Sequence, residues 1–165
     1  RAVQQGAIPA ITQAMRQHPA IDMNCSGYSA LIAILEGSSG LEQVGDDVKD
    51  QDIPPGMAGY VALMARSGAP EVVTTGMRIF PACELLQEKG CKLLGILCKD
   101  GDDNRVSSGY KKGKKAESNV MLRSQCRRLV ARHGGVPLLY QAMKRYPVNA
   151  ELQVGGCMAL GQLGS

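Results

Sequence analysis

The sequence contains no tryptophan, one phenylalanine and five tyrosines in 165 residues. So few rings argue against modules that stack nucleobases or cage quaternary ammonium groups, because both depend on exposed aromatic faces. Long apolar runs are missing too. The apolar stretch Ala30 to Leu35 falls far short of the ~20 residues that cross a bilayer. No basic region followed by an apolar run opens the chain. Membrane insertion and secretion are therefore not expected, and the expected location is intracellular: cytoplasmic, with the nucleus as the alternative. Only two histidines occur, His18 and His133, and neither stands in a nucleophile or metal-ligand spacing. The six cysteines (Cys25, Cys83, Cys91, Cys98, Cys126 and Cys157) form no C-x-x-C pair. They read as small core residues rather than as a zinc site or a disulfide framework. Cys83, Cys91 and Cys98 have the spacing to share one buried helical face.

What is present begins with charge. The net charge of +4 conceals an uneven distribution. Residues 1–103 carry 8 Lys/Arg against 13 Asp/Glu, whereas residues 104–150 carry 11 basic residues against the single acid Glu117. Such polarity points to an acidic partner for one end rather than to a uniformly basic nucleic-acid binder.

The strongest signal is internal repetition. Residues 68–97 and 134–163 align without gaps at an offset of 66, with ten of thirty positions identical. The shared residues include Met77/Met143, Pro81/Pro147, Gln87/Gln153, Gly90/Gly156, Cys91/Cys157 and Leu97/Leu163. A third copy opens the chain. There Gly6-Ala7-Ile8-Pro9 matches Gly134-Gly135-Val136-Pro137, and Gly27, Ala30, Leu31 and Ile34 match Gly156, Ala159, Leu160 and Leu163. Within each unit the apolar spacing, as at Leu138, Leu139, Ala142 and Met143, predicts one face of a helix. A proline such as Pro147 ends that helix, because it disfavours helical geometry in the residue before it. A second helix follows from about Glu151, and a shorter one, Met121 to Arg132, precedes the Gly134-Gly135 bend. A mid-helix glycine costs about 1 kcal/mol relative to alanine. The recurrence of Gly27, Gly90 and Gly156 despite that cost predicts close helix packing.

At these residues, Gly-Ala-Ile-Pro at 6–9, Gly-Gly-Val-Pro at 134–137 and Leu-Gln-x-x-Gly-Cys at 86–91 and 152–157, the chain resembles the armadillo-repeat family. The resemblance covers residues 1–36, 57–98 and 120–165. It implies an all-α fold, a right-handed α-solenoid of about three stacked armadillo-like repeats. The starts at 6, 68 and 134 lie further apart than the ~40–47 residues usual for such units. The surplus falls at 37–56 and 99–119, which read as long inter-repeat surface loops rich in Gly, Ser and charge. A single repeat domain spanning 1–165 and belonging to a larger chain is expected. Three units are about the minimum that shares a continuous core, so further repeats, a dimer or complex subunits are expected at the ends.

Catalysis finds little support, and no enzyme, cofactor or metal is expected. Gly109-Tyr-Lys-Lys-Gly-Lys-Lys lacks phosphate-loop spacing, and Asp100, Asp102 and Asp103 lack the closing Glu of a calcium loop. The resemblance implies instead a non-catalytic scaffold that binds a protein along the groove lined by the last helix of each unit. Carried onto this sequence, that groove comprises Cys25, Ser29 and Ala33, then Glu88, Lys92 and Ile96, then Val154, Met158 and Gln162. The Trp–Asn pairs of importin-type members are absent from these positions, so binding of an import signal is not implied. A second candidate surface is basic: Lys111, Lys112, Lys114 and Lys115, with Arg123, Arg127, Lys144 and Arg145. It suits acidic protein segments or phosphate groups and predicts marked salt sensitivity. Nucleic-acid or phosphate binding by the basic 105–145 region is the alternative function, disfavoured by the missing aromatics. A regulatory repeat region of a larger enzyme is a third reading.

Overall fold

The computed structural model describes residues 2–38, 57–99 and 124–164. The expected loops at 37–56 and 99–119, apart from their first residues, lie outside the described residues, as do Lys111, Lys112, Lys114, Lys115 and Arg123. Every regular element among the described residues is a helix. In chain order these are α1 (Ala2–Gln17), α2 (Ile21–Ser38), α3 (Met57–Ser67), α4 (Ala69–Ile79), α5 (Glu84–Cys98), α6 (124–132), α7 (Gly135–Arg145) and α8 (Ala150–Leu163). None is long and apolar enough to cross a membrane.

Punctuation by glycine and proline sets the boundaries. Gly68 and Gly134 take the left-handed conformation, φ 79° and 77°, and turn α3 into α4 and α6 into α7. At the far ends Phe80 and Tyr146 leave helical geometry one residue ahead of Pro81 and Pro147. The first unit differs. α1 runs unbroken through Gly6, with Pro9 inside it, so the bend that Gly134 makes has no counterpart at Gly6.

Successive helices pack in a recurring order. The last helices lie side by side, α2 against α5 and α5 against α8, while α1 meets α4 and α4 meets α7. One continuous core runs through all of them, from Ile8, Met15 and Leu31 through Met77 and Leu94 to Leu139 and Leu152. The same atoms recur at the offset seen in the sequence. Gln87 Nε2 donates to the carbonyls of Met77 and Phe80 at 2.8 and 3.0 Å, and Gln153 Nε2 donates to those of Met143 and Tyr146 at 2.8 and 3.1 Å. These bonds satisfy carbonyls that a helix C-terminus leaves without an intrahelical partner.

The recurring mid-helix glycines face recurring methionines. A Cβ at Gly27, Gly90 or Gly156 would come within 2.2, 2.6 or 2.5 Å of the sulfur of Met15, Met77 or Met143. Each glycine therefore makes room for the methionine of the preceding helix. A close approach of two helix backbones belongs to a glycine outside the repeat pattern. A Cβ at Gly155 would stand 2.7–2.9 Å from the backbone of Cys91 and Lys92, so α8 lies backbone to backbone on α5.

The cysteines divide. Cys91 and Cys98 are buried on α5 as expected, but Cys83 is the N-cap ahead of that helix, half-buried and turned to a different neighbour. Burial pushes both α5 thiols up to about 12.

Candidate interaction surfaces

Two faces of the molecule carry the residues singled out in the sequence. The first is formed by the outer sides of α2, α5 and α8. Those three helices hold Asp22, Glu36, Glu84, Glu88 and Glu151 against only Lys89 and Lys92. The remaining helices are basic, with Arg16 on α1, Arg66 on α3, Arg78 on α4, Arg127, Arg128 and Arg132 on α6, and Lys144 and Arg145 on α7, against Glu71 alone. Charge thus separates by helix position within the unit as well as along the chain.

On this acidic face many polar groups tie one unit to the next. Lys92 Nζ lies 2.7 Å from Glu36 Oε1, and the hydrogen bond it donates to that carboxylate holds the ammonium above its ordinary value. Lys89 Nζ donates to Ser29 Oγ, which itself donates to the Cys25 carbonyl. Asn149 caps α8 by accepting from Leu152 N at 2.9 Å, while its Nδ2 donates to Glu84 and Glu88, both at 2.9 Å. Gln162 accepts from Arg127 at 3.4 Å. Ser29, Glu88, Lys92 and Gln162 are therefore engaged in contacts within the molecule. Cys25 and Ile96 are half-buried against the core. Three expected groove positions remain exposed: Ala33, Val154 at 59% and Met158 at 40%. Val154 and Met158 sit one helical turn apart and form an apolar strip beside Glu151.

The second face lies between successive middle helices. A hollow of about 500 Å³ between α4 and α7 is lined by Met77, Arg78, Leu138, Gln141, Lys144 and Arg145, with Pro81, Gln87 and Ala142 completing the wall. The equivalent space between α1 and α4 holds about 150 Å³ and includes both Arg16 and Glu71. The larger hollow carries three cationic side chains and no acid among its lining residues. Arg78 was not singled out in the sequence, where it stands alone. The structure brings it to Lys144 and Arg145 because α4 and α7 lie side by side, and its guanidinium also donates to the His133 carbonyl at 2.6 Å. Arg127 does not join them. It is not among the residues that line the hollow, and it donates to Gln162 on α8.

Among the described residues, no group of three or more His, Cys, Asp or Glu side chains is placed to hold a metal ion. No family model, curated protein or solved structure matches the chain.

Proposed function

We propose that the chain is an armadillo-like α-solenoid of three units that works as a non-catalytic protein-binding scaffold. Its working surface is the shared outer face of α2, α5 and α8. The observation that carries this reading is the exposed apolar strip of Val154 and Met158 within a face whose helices carry five acids and two bases. Apolar side chains flanked by charge of one sign suit an extended or helical segment that contributes both apolar anchors and lysines or arginines. Such a partner is the charge complement of the one expected at the basic residues of 105–145. The recurrence of the same glutamine and methionine contacts in successive units supports reading the helices as copies of one repeat.

Comparative affinity capture tests the assignment. Proteins retained by the wild-type chain are expected to be lost with Val154→Glu/Met158→Glu and kept with Tyr140→Glu, which alters a 60% exposed residue on α7. Far-UV circular dichroism establishes that each variant is folded. Unchanged retention by a folded Val154→Glu/Met158→Glu chain would remove the groove assignment. Loss with Tyr140→Glu would move the surface to the middle helices.

A further inference from the structure

The link between successive last helices is built twice from the same two positions but with different chemistry. At the α5–α8 step, the N-cap of α8, Asn149, reaches across to Glu88 on α5 at 2.9 Å. One unit earlier, the N-cap of α5 is Cys83, at the position 66 residues before Asn149. The residue of α2 that occupies the place of Glu88 is Cys25, by the register that sets Gly27 on Gly90. The register that joins Asn149 to Glu88, and that also sets Lys89 on Ser29, thus places two thiols at matching positions of α5 and α2, close enough to act on one another.

Both thiols are free and half-buried, so a small oxidant has access that it lacks at the buried Cys91, Cys98 and Cys126. Cys83 sits at the N-terminus of α5. Lys89 stands close enough for its charge to act on Cys25 and is itself held in place by Ser29. Burial raises the Cys25 thiol above its ordinary value, the neighbouring Cys83 adds to that, and Lys89 opposes it.

We propose that Cys25 and Cys83 form a redox-closable link between the first two units, oxidised to a disulfide by hydrogen peroxide. One thiolate displaces hydroxide from the peroxide, giving a sulfenic acid, and that hydroxide takes up a proton to become water. The second thiolate then attacks the sulfenic sulfur, the S–S bond forms, and the leaving hydroxide becomes a second water with the remaining thiol proton. Two thiols lose two electrons and two protons, and one peroxide is reduced to two waters. Closure puts a covalent tie on the face that carries the candidate groove.

Trypsin places the two cysteines in separate peptides, residues 17–49 and 79–89, with no other cysteine in either. The native chain is treated with hydrogen peroxide, its remaining thiols are alkylated, and the unreduced digest is examined by mass spectrometry. The expected product is the two peptides joined, two hydrogens lighter than their sum, and separated again by dithiothreitol. In Cys25→Ser that species is expected to vanish while the peptide of Cys83 is recovered alone. The exposed Cys157 reports that the oxidant was active. Recovery of Cys25 and Cys83 as separate alkylated or sulfinic peptides, once Cys157 has been oxidised, would overturn the proposal. So would a link from either residue mainly to another cysteine.

Discussion

Gly155 and Gly161 lie on the same helix and differ only in what surrounds them. Replacing either by alanine removes backbone freedom from the unfolded chain and improves helix propensity, a gain of up to about 1 kcal/mol. At Gly161 nothing lies within 4 Å of the new Cβ, so that gain stands alone. At Gly155 the Cβ would meet Lys92 N at 2.7 Å, Cys91 C at 2.8 Å and Lys92 Cα at 2.9 Å. Carbon contacts relax near 3.5–4 Å, so α5 and α8 must part by roughly 0.7 Å or more along their contact. The obstructing atoms are backbone and cannot rotate away. The upper end of the overpacking range, about 3 kcal/mol, therefore applies, leaving Gly155→Ala destabilised by about 2 kcal/mol. The two alanines should then differ by about 3 kcal/mol, or roughly 6–12 °C in Tm for a chain of this size. Urea denaturation followed by circular dichroism, with equal slopes in both variants, measures the difference directly. Equal stability of the two variants would refute the backbone-to-backbone packing of α5 and α8.

Other consequences follow from the same geometry. Gln87→Leu strips the buried Met77 carbonyl of its side-chain donor, leaves the Phe80 carbonyl with Cys83 N alone and should cost about 2 kcal/mol, whereas Gln153→Leu, half-buried and open to water, should cost about 1 kcal/mol or less in the same denaturation assay. Cys91 and Cys157 occupy equivalent positions, yet a thiol reagent should label Cys157 at once and Cys91 only at the rate of opening, which peptide mapping against time distinguishes. Cys91 and Cys98 have folded pKa values raised from 9.0 to about 12, so their contribution to stability is present below pH 9 and is lost as pH rises towards 12. At pH 10 each should remove on the order of 1 kcal/mol relative to neutral pH, and Cys91→Ala should flatten that alkaline loss in a pH series of denaturation curves.

Much of the helical order was legible because its signals are local or repeated. Gly68 and Gly134 announce their turns, Pro81 and Pro147 end their helices, and the offset of 66 aligns Gln87 with Gln153 before any contact is known. The packing role of Gly156 was visible for the same reason, since it recurs as Gly90 and Gly27. Gly155 was not, because Lys89 occupies its place one unit earlier and no pattern marks it. What decides its role is the spacing of α5 and α8, a tertiary quantity. The nearness of Cys25 to Cys83 and the gathering of Arg78 with Lys144 and Arg145 were hidden likewise, since each depends on how one unit sits on the next. The groove positions were legible as a ladder, but their availability was not. Glu88, Lys92 and Gln162 are exposed types in sequence, yet each is engaged by a neighbouring helix, leaving Ala33, Val154 and Met158 as the open members.

A protein bound at the proposed working surface covers the outer face of α2, α5 and α8. Hydrogen exchange of the chain, alone and with a captured protein partner, tests it most directly. Slowed exchange is expected in the outward turns around Ala33, Lys92 and Met158, with α4 and α7 unchanged. Protection confined to α4 and α7, or to the basic 105–145 region, would contradict the account.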